Sequence, residues 1–78
     1  MKQIYGVDMP NKSYVRNGHH ININVTEVKG GRWNWDYTID ALNYTALRER
    51  PAASEGGAML EAENDANHKA DNLPPGDA

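Results

Sequence analysis

Apolar and polar side chains alternate along the chain on both sides of a Lys-Gly-Gly sequence at residues 29–31. Period-two alternation in β-branched and aromatic residues is typical of strands with one buried face. The pattern therefore predicts two strands, over about 19–28 and 32–40, joined by a hairpin. Their apolar positions are Ile21, Ile23, Val25, Trp33, Trp35, Tyr37 and Ile39.

The length of the hairpin loop follows from the requirement that both apolar sets lie on one face. Directly opposed residues share a face, and a two-residue loop would oppose Val25 to the polar Asp36. A three-residue loop opposes Val25 to Trp35 instead, so we predict that register. It also places Gly31 at the left-handed position that three-residue hairpin loops require.

A second hairpin is predicted upstream, at Asn17 and Gly18. Asn-Gly is the strongest short signal for a two-residue hairpin loop, because both residues must adopt positive φ. This loop opposes Tyr14 to Ile21, so Tyr14 joins the apolar face. We therefore predict a first strand over about 12–16.

The segment after the second hairpin has two interpretations. Leu42, Tyr44 and Ala46 alternate, which favours a fourth strand over about 43–48, whereas the neighbouring Leu, Ala, Arg and Glu residues also suit a helix. We favour the strand. Pro51 ends either element.

A single helix is predicted over about 55–71. Ser54 is a suitable N-cap, and Glu55 lies near the positive end of the helix dipole. Apolar residues recur at helical spacing on one face of this segment: Met59, Ala62, Ala66, Ala70 and Leu73. Small alanines bring a helix close to a sheet, and large side chains opposite them fill the space. The aromatic row is therefore expected to be mostly core.

These elements predict a two-layer α+β fold, an antiparallel meander of three to four strands with one helix packed on one face. Residues 1–73 are expected to form a single domain. Residues 74–78, after the proline pair, are expected to be a disordered tail. The strand and helix order resembles many small bacterial or phage proteins, and its plan resembles antitoxin-type and double-stranded-RNA-binding folds.

Composition limits the classes of function. The chain has 78 residues, no cysteine and a net charge of −3. Residues 1–50 hold seven Lys or Arg and five acids, whereas residues 51–78 hold one Lys and six acids. Nucleic-acid binding requires a concentrated basic surface, so it is not favoured. A cytoplasmic protein without membrane spans is expected, and the small core makes a homodimer a further expectation.

Candidate binding residues lie in two places. Trp33, beside Arg32 and Lys29 at the hairpin tip, is a candidate anchor for a partner, because Trp and Arg dominate interface hot spots. The alternative is that Trp33 caps the end of the core. The second set is Asn24, Asn34 and Asp36, on the polar face of the predicted sheet.

No enzymatic role, cofactor or metal is predicted. The sequence has no nucleophile motif and no glycine-rich phosphate loop before a helix. His19 and His20 are adjacent on a strand, so their side chains point to opposite faces and do not chelate one ion. The function expected is protein–protein interaction, as a regulatory or inhibitor module. The alternatives are a nucleic-acid-associated regulator using the basic loop, or an acidic inhibitor that mimics nucleic acid.

Overall fold

The computed structural model of the chain describes residues 11–44 and 51–78. Its four-stranded antiparallel sheet has the strand order β1-β2-β3-β4, and one helix packs on one face of the sheet. This is the α+β meander that the sequence predicts. The elements are β1 (Asn11–Arg16), β2 (His19–Val28), β3 (Arg32–Ile39), β4 (Leu42–Tyr44) and α1 (Glu55–Asp71).

Both predicted hairpin registers are confirmed. Val25 lies opposite Trp35 across β2 and β3, and Tyr14 lies opposite Ile21 across β1 and β2. The turns have the required backbone, with positive φ at Asn17, Gly18, Gly30 and Gly31. Local turn chemistry and the apolar pattern therefore specify the same pairing.

The third turn was not predicted, and it ends β3 one residue earlier than expected. Asp40 and Ala41 have φ values of 52° and 71°, which makes them a two-residue loop of the same left-handed kind. β4 begins directly afterwards and spans Leu42–Tyr44. The predicted fourth strand, over about 43–48, overlaps it, and residues 45–50 lie outside the described part of the chain.

The left-handed backbone at Ala41 leads to a prediction about stability. Replacing Ala41 by Gly is expected to raise the free energy of unfolding by about 0.5–1 kcal/mol. The left-handed conformation costs an L-residue about 1–2 kcal/mol, and part of that gain is lost to the more flexible unfolded chain. Urea unfolding of both proteins measures the difference.

Ala53→Gly is the matched control, because Ala53 is also exposed but does not have positive φ. It is expected to lower the free energy of unfolding by about 0.4–1 kcal/mol. Equal losses in the two variants would contradict the strain assigned to Ala41.

α1 begins and ends as predicted. The Ser54 side chain accepts a hydrogen bond from the Gly57 N–H at 3.0 Å, which satisfies one of the free donors of the first turn. The buried stripe consists of alanines four residues apart: Ala58, Ala62, Ala66 and Ala70. Met59 and Leu73, which the periodicity placed within the stripe, are half-buried against the core, and Leu73 follows the end of the helix. No helix among the described residues is both long and apolar enough to cross a bilayer.

The core lies between this alanine stripe and the aromatic row of the sheet. Trp35 stacks on Tyr37 with ring centroids 5.9 Å apart, and Tyr37 stacks on Tyr44 at 5.5 Å. The aliphatic residues of β2 and β3 complete it: Ile21, Ile23, Val25 and Ile39. Because the alanine side chains end at the β-carbon, the rings approach the helix backbone closely, and large residues of the sheet pack against small residues of the helix.

The structure places residues 74–78, the expected disordered tail, against the β1–β2 turn; we call these residues the strap. The Gly76 N–H donates to the Asn17 carbonyl, and the Ala78 N–H donates to the Gly18 carbonyl, both at 2.9 Å. The domain limits of 1–73 stay a prediction, and the strap beyond them contacts the β1–β2 turn.

Candidate functional site

The face of the sheet opposite α1, which we call the open face, is uncovered in the described part of the chain. Among its described side chains, Arg32 and Asp36 are those with a formal charge at neutral pH. Its other members are Asn11, Ser13, Val15, His20, Asn22, Asn24, Thr26, Val28, Asn34, Thr38 and Asn43. The surface is therefore broad and polar, with little charge.

The registers align these short polar side chains in rows across the strands. One row runs Ser13, Asn22, Thr38, Asn43 across all four strands. Within it, the Ser13 hydroxyl donates to the Asn22 Oδ1 atom. Cross-strand bonds of this kind fix side-chain orientation, so the face presents a pre-arranged set of hydrogen-bonding groups.

A second row contains two of the predicted binding residues, Asn24 and Asp36. Asn24 lies opposite both Asn11 and Asp36. The Asn11 Nδ2 atom donates to the Asn24 Oδ1 atom at 2.8 Å. This bond orients the amide of Asn24 on the inner strand β2, beside Asp36, whose carboxylate is the one on the described open face.

The structure brings together four of the six predicted binding residues and separates Trp33 from them. Asn24 and Asp36 are directly opposed, and Asn34 and Arg32 follow on the same face of β3. Lys29 is exposed in the adjoining loop. Trp33 lies on the helix side, half-buried against the core, and its N–H and carbonyl each bond to Ala52 at 2.8 Å.

The basic residues of β1 are engaged by α1. Lys12 Nζ lies 2.7 Å from a Glu63 carboxylate oxygen, and Arg16 makes a two-point contact with Asp71 at 2.7 and 3.0 Å. The Arg16 hydrogen bonds lower the pKa of Asp71. These cations tie the edge strand to the helix.

Two further acids of α1 accept hydrogen bonds from core aromatics. Trp35 Nε1 donates to Glu61 at 3.1 Å, and the Tyr37 hydroxyl donates to Asp65 at 2.7 Å. Burial, followed by the bond to Asp65, raises the pKa of Tyr37. These contacts were not predicted from the sequence, although two acids four residues apart beside an alanine stripe are a signal for them.

A histidine cluster at the β1–β2 turn was also missed. His19 is 8% exposed and lies on the helix side of β2. Its Nδ1 atom is 2.6 Å from Asp40 Oδ2, and its Nε2 atom is 2.7 Å from the Pro74 carbonyl oxygen. His19 is two residues before Ile21 on β2 and so shares its buried face, which was a signal for burial. Its partners lie 21 and 55 residues away in the chain, and no local pattern indicated them.

These contacts shift both ionisable groups. The hydrogen bond to Asp40, and then the bond to Pro74, raise the pKa of His19 above its ordinary 6.5. The bond from His19, assisted by the His20 N–H on Oδ1 at 3.0 Å, lowers the pKa of Asp40. The ring and the carboxylate therefore form an ion pair when the ring is protonated.

A shallow depression adjoins this cluster. Its lining consists of Gly18, His19, His20, Asp40, Gly76, Asp77 and Ala78. Within residues 11–44 and 51–78, no group of three His, Cys, Asp or Glu side chains is placed to hold a metal ion. No protein-family model, curated protein or solved structure matches the chain, and a functional assignment therefore rests on the contacts described above.

Proposed function

We propose that this chain is a non-enzymatic protein–protein interaction module that binds its partner through the open face. The observation that supports this most is the low charge of the face, where Arg32 and Asp36 are the charged members among the described residues. Solvated surfaces usually carry many Lys and Glu side chains, whereas interface centres are depleted in them. The lack of cysteine agrees with a cytoplasmic location.

The size of the face indicates the strength of binding. The four strands have 6, 10, 8 and 3 residues and lie about 4.8 Å apart, so the face covers on the order of 400 Å². A standard stable interface buries about 800 Å² on each partner. We therefore expect a transient complex, with a Kd nearer the micromolar than the nanomolar range.

The two alternatives expected from the sequence have less support. Lys12 and Arg16 are paired with helix acids, which leaves Lys29 and Arg32 as the exposed cations of the hairpin tip. Two cations are a small surface for binding nucleic acid. Mimicry of nucleic acid requires outward acids, and four carboxylates of α1 are engaged within the fold: Glu61, Glu63, Asp65 and Asp71.

A second copy of the chain is the first partner to test, because the charges of the open face complement themselves. Arg32 and Asp36 lie on the same face of β3, about 13 Å apart. Two copies can meet through their open faces about a twofold axis that lies between the sheets and runs perpendicular to β3 at Asn34. This axis places Arg32 of each copy over Asp36 of the other. Such a reciprocal contact is the general property of a twofold interface.

Placing a long charged side chain on the open face is expected to weaken binding. Asn24→Lys lies at the centre of the face, directly opposite Asp36. Its long side chain stands above the short polar residues around it and competes with Arg32 of the second copy for the Asp36 carboxylate, so it opposes close contact. Self-association is measured by sedimentation velocity from low micromolar to near-millimolar protein, and we expect at least about a tenfold weaker Kd, or 1.4 kcal/mol.

The matched control is Asn64→Lys, since Asn64 is exposed on α1, on the other side of the molecule. It is expected to associate like the wild type. Charge reversal at Arg32 or at Asp36 should weaken association, and the double reversal should restore it. A monomer at all concentrations would exclude the second copy as the partner. Equal weakening by both lysine variants would contradict the open face as the contact surface.

A further inference from the structure

We propose that His19 is a pH-sensitive latch that holds the strap closed while its ring carries two protons and releases the strap when the ring becomes neutral. The proposal does not depend on the function assigned to the open face. It rests on the positions of the two acceptors that the ring contacts, a carboxylate and a backbone carbonyl.

Both acceptors require a donor from the ring. The Pro74 carbonyl has no proton to give, and Asp40 is held as a carboxylate because its Oδ1 atom also accepts the His20 N–H. A neutral imidazole carries one N–H and one lone pair. Either tautomer therefore directs a lone pair at an oxygen less than 3 Å away, and one of the two contacts must break.

The contact to the strap is the weaker one. A hydrogen bond to a carboxylate is stronger than one to a neutral carbonyl, so the neutral ring keeps its proton on Nδ1, facing Asp40. Asp40 is fixed on its other side, because its N–H donates to the His20 carbonyl at 2.8 Å. The Pro74 carbonyl therefore loses its donor when His19 is deprotonated.

The segment that precedes the strap is held independently of His19. The Asn17 side-chain amide donates to the Ala70 and Leu73 carbonyls at 2.9 and 3.1 Å. The Leu73 N–H also bonds to the Ala70 carbonyl. Release is therefore confined to residues 74–78, with the end of α1 remaining in place.

The other contacts of the strap lie where its backbone crosses the β1–β2 turn, at Gly76 and Gly18. A β-carbon on Gly76 would lie 2.1 Å from the Gly18 carbonyl oxygen, so the two backbones pass with no room for a side chain. The closed strap is held there by two backbone bonds, from Gly76 and from Ala78. Release exposes the Asn17 and Gly18 carbonyls as free acceptors at the end of the sheet.

The charged groups around the ring define the pH window. Asp40 and Asp77 favour the protonated ring, while Arg16, opposite His19 on β1, is neutralised by Asp71. The raised pKa of His19 means that its contribution to closure is complete below pH 6.5 and is lost as pH rises through the raised value. The lowered pKa of Asp40 means that its contribution is complete above pH 3.8 and is lost as pH falls through the lowered value.

The test is an NMR titration of the full chain from about pH 5 to about pH 9. The imidazole resonances of His19 give its pKa, and ¹⁵N relaxation gives the backbone order of Gly76 and Ala78. We expect the order parameters to fall from about 0.85 to below about 0.6 with the same midpoint as the ring, above pH 6.5. Ordered values across the whole titration of His19 would overturn the proposal.

Asp40→Asn is the decisive variant. The introduced amide keeps an oxygen for the His20 N–H and offers its NH₂ to the Nδ1 lone pair, so a neutral ring satisfies every contact. We expect the strap to stay ordered to the alkaline end of the range and the pKa of His19 to fall. Loss of order at the wild-type midpoint in this variant would contradict the latch.

Two glutamine variants complete the test. His19→Gln is neutral throughout the range, so the order of its strap is expected not to change with pH. His20→Gln, whose side chain points to the open face, is expected to keep the wild-type transition. A transition that survives in His19→Gln, or disappears in His20→Gln, would assign the effect to another group. Should His19→Gln fail to fold, the Asp40→Asn result decides the question.

Discussion

Replacing Tyr37 by Ala is expected to lower the free energy of unfolding by about 3–5 kcal/mol, the cost of removing a buried aromatic ring. Tyr37 is 1% exposed, lies between the rings of Trp35 and Tyr44, and bonds to Asp65 on α1. A domain of this size has a stability of about 4–12 kcal/mol. The variant should therefore unfold at a much lower urea concentration than the wild type, and a wild-type stability of about 4 kcal/mol would leave it partly unfolded without urea.

Urea unfolding followed by Trp fluorescence and circular dichroism measures this loss, and Tyr37→Phe separates its two sources. The Phe variant keeps the ring and removes only the hydroxyl that donates to Asp65, so we expect a loss of about 1 kcal/mol. Similar losses in the Ala and Phe variants would show that the hydrogen bond, and not ring packing, dominates at this position.

Replacing Ala66 by Leu is expected to lower the free energy of unfolding by about 1–3 kcal/mol, the usual cost of overpacking a core. Ala66 is 0% exposed in the middle of the alanine stripe. The larger side chain has no space unless α1 moves away from the sheet. That movement would strain the contacts of Trp35 and Tyr37 with the helix.

Asn64→Leu is the matched control for this substitution, because Asn64 is exposed on the same helix. It adds the same side chain without entering the core, and a change within about 0.5 kcal/mol is expected. Calorimetry or urea unfolding compares the two. An Ala66→Leu variant as stable as Asn64→Leu would mean that the helix does not pack on the sheet through its alanines.

The two predictions concern opposite sides of one interface, in which large rings fill the space above small residues. Substitution on one side changes the fit on the other, so combined Tyr37→Phe and Ala66→Leu effects need not add. The bonds from Trp35 to Glu61 and from Tyr37 to Asp65 connect polar atoms of the core rings to α1. The alanine stripe therefore sets the distance between α1 and the sheet, and the acids beside it accept hydrogen bonds from the rings.

Most of the fold could be predicted from local features of the sequence. The Asn17-Gly18 and Gly30-Gly31 turns need positive φ, and the parity of the apolar residues permits one register for each hairpin. The third turn escaped notice because Asp40 and Ala41 are not a typical left-handed pair, and β4 is correspondingly short. Prediction succeeded where backbone requirement and residue type agreed.

For the candidate site, the sequence by itself determined which side chains share the open face, because alternation along a strand is a local rule. Only the tertiary structure decided that Trp33 pairs with Ala52, that the helix acids bond to core rings, and that His19 joins Asp40 to Pro74. Those contacts connect residues far apart in the chain. Their geometry depends on how the helix, the turns and the strap meet, which no local pattern specifies.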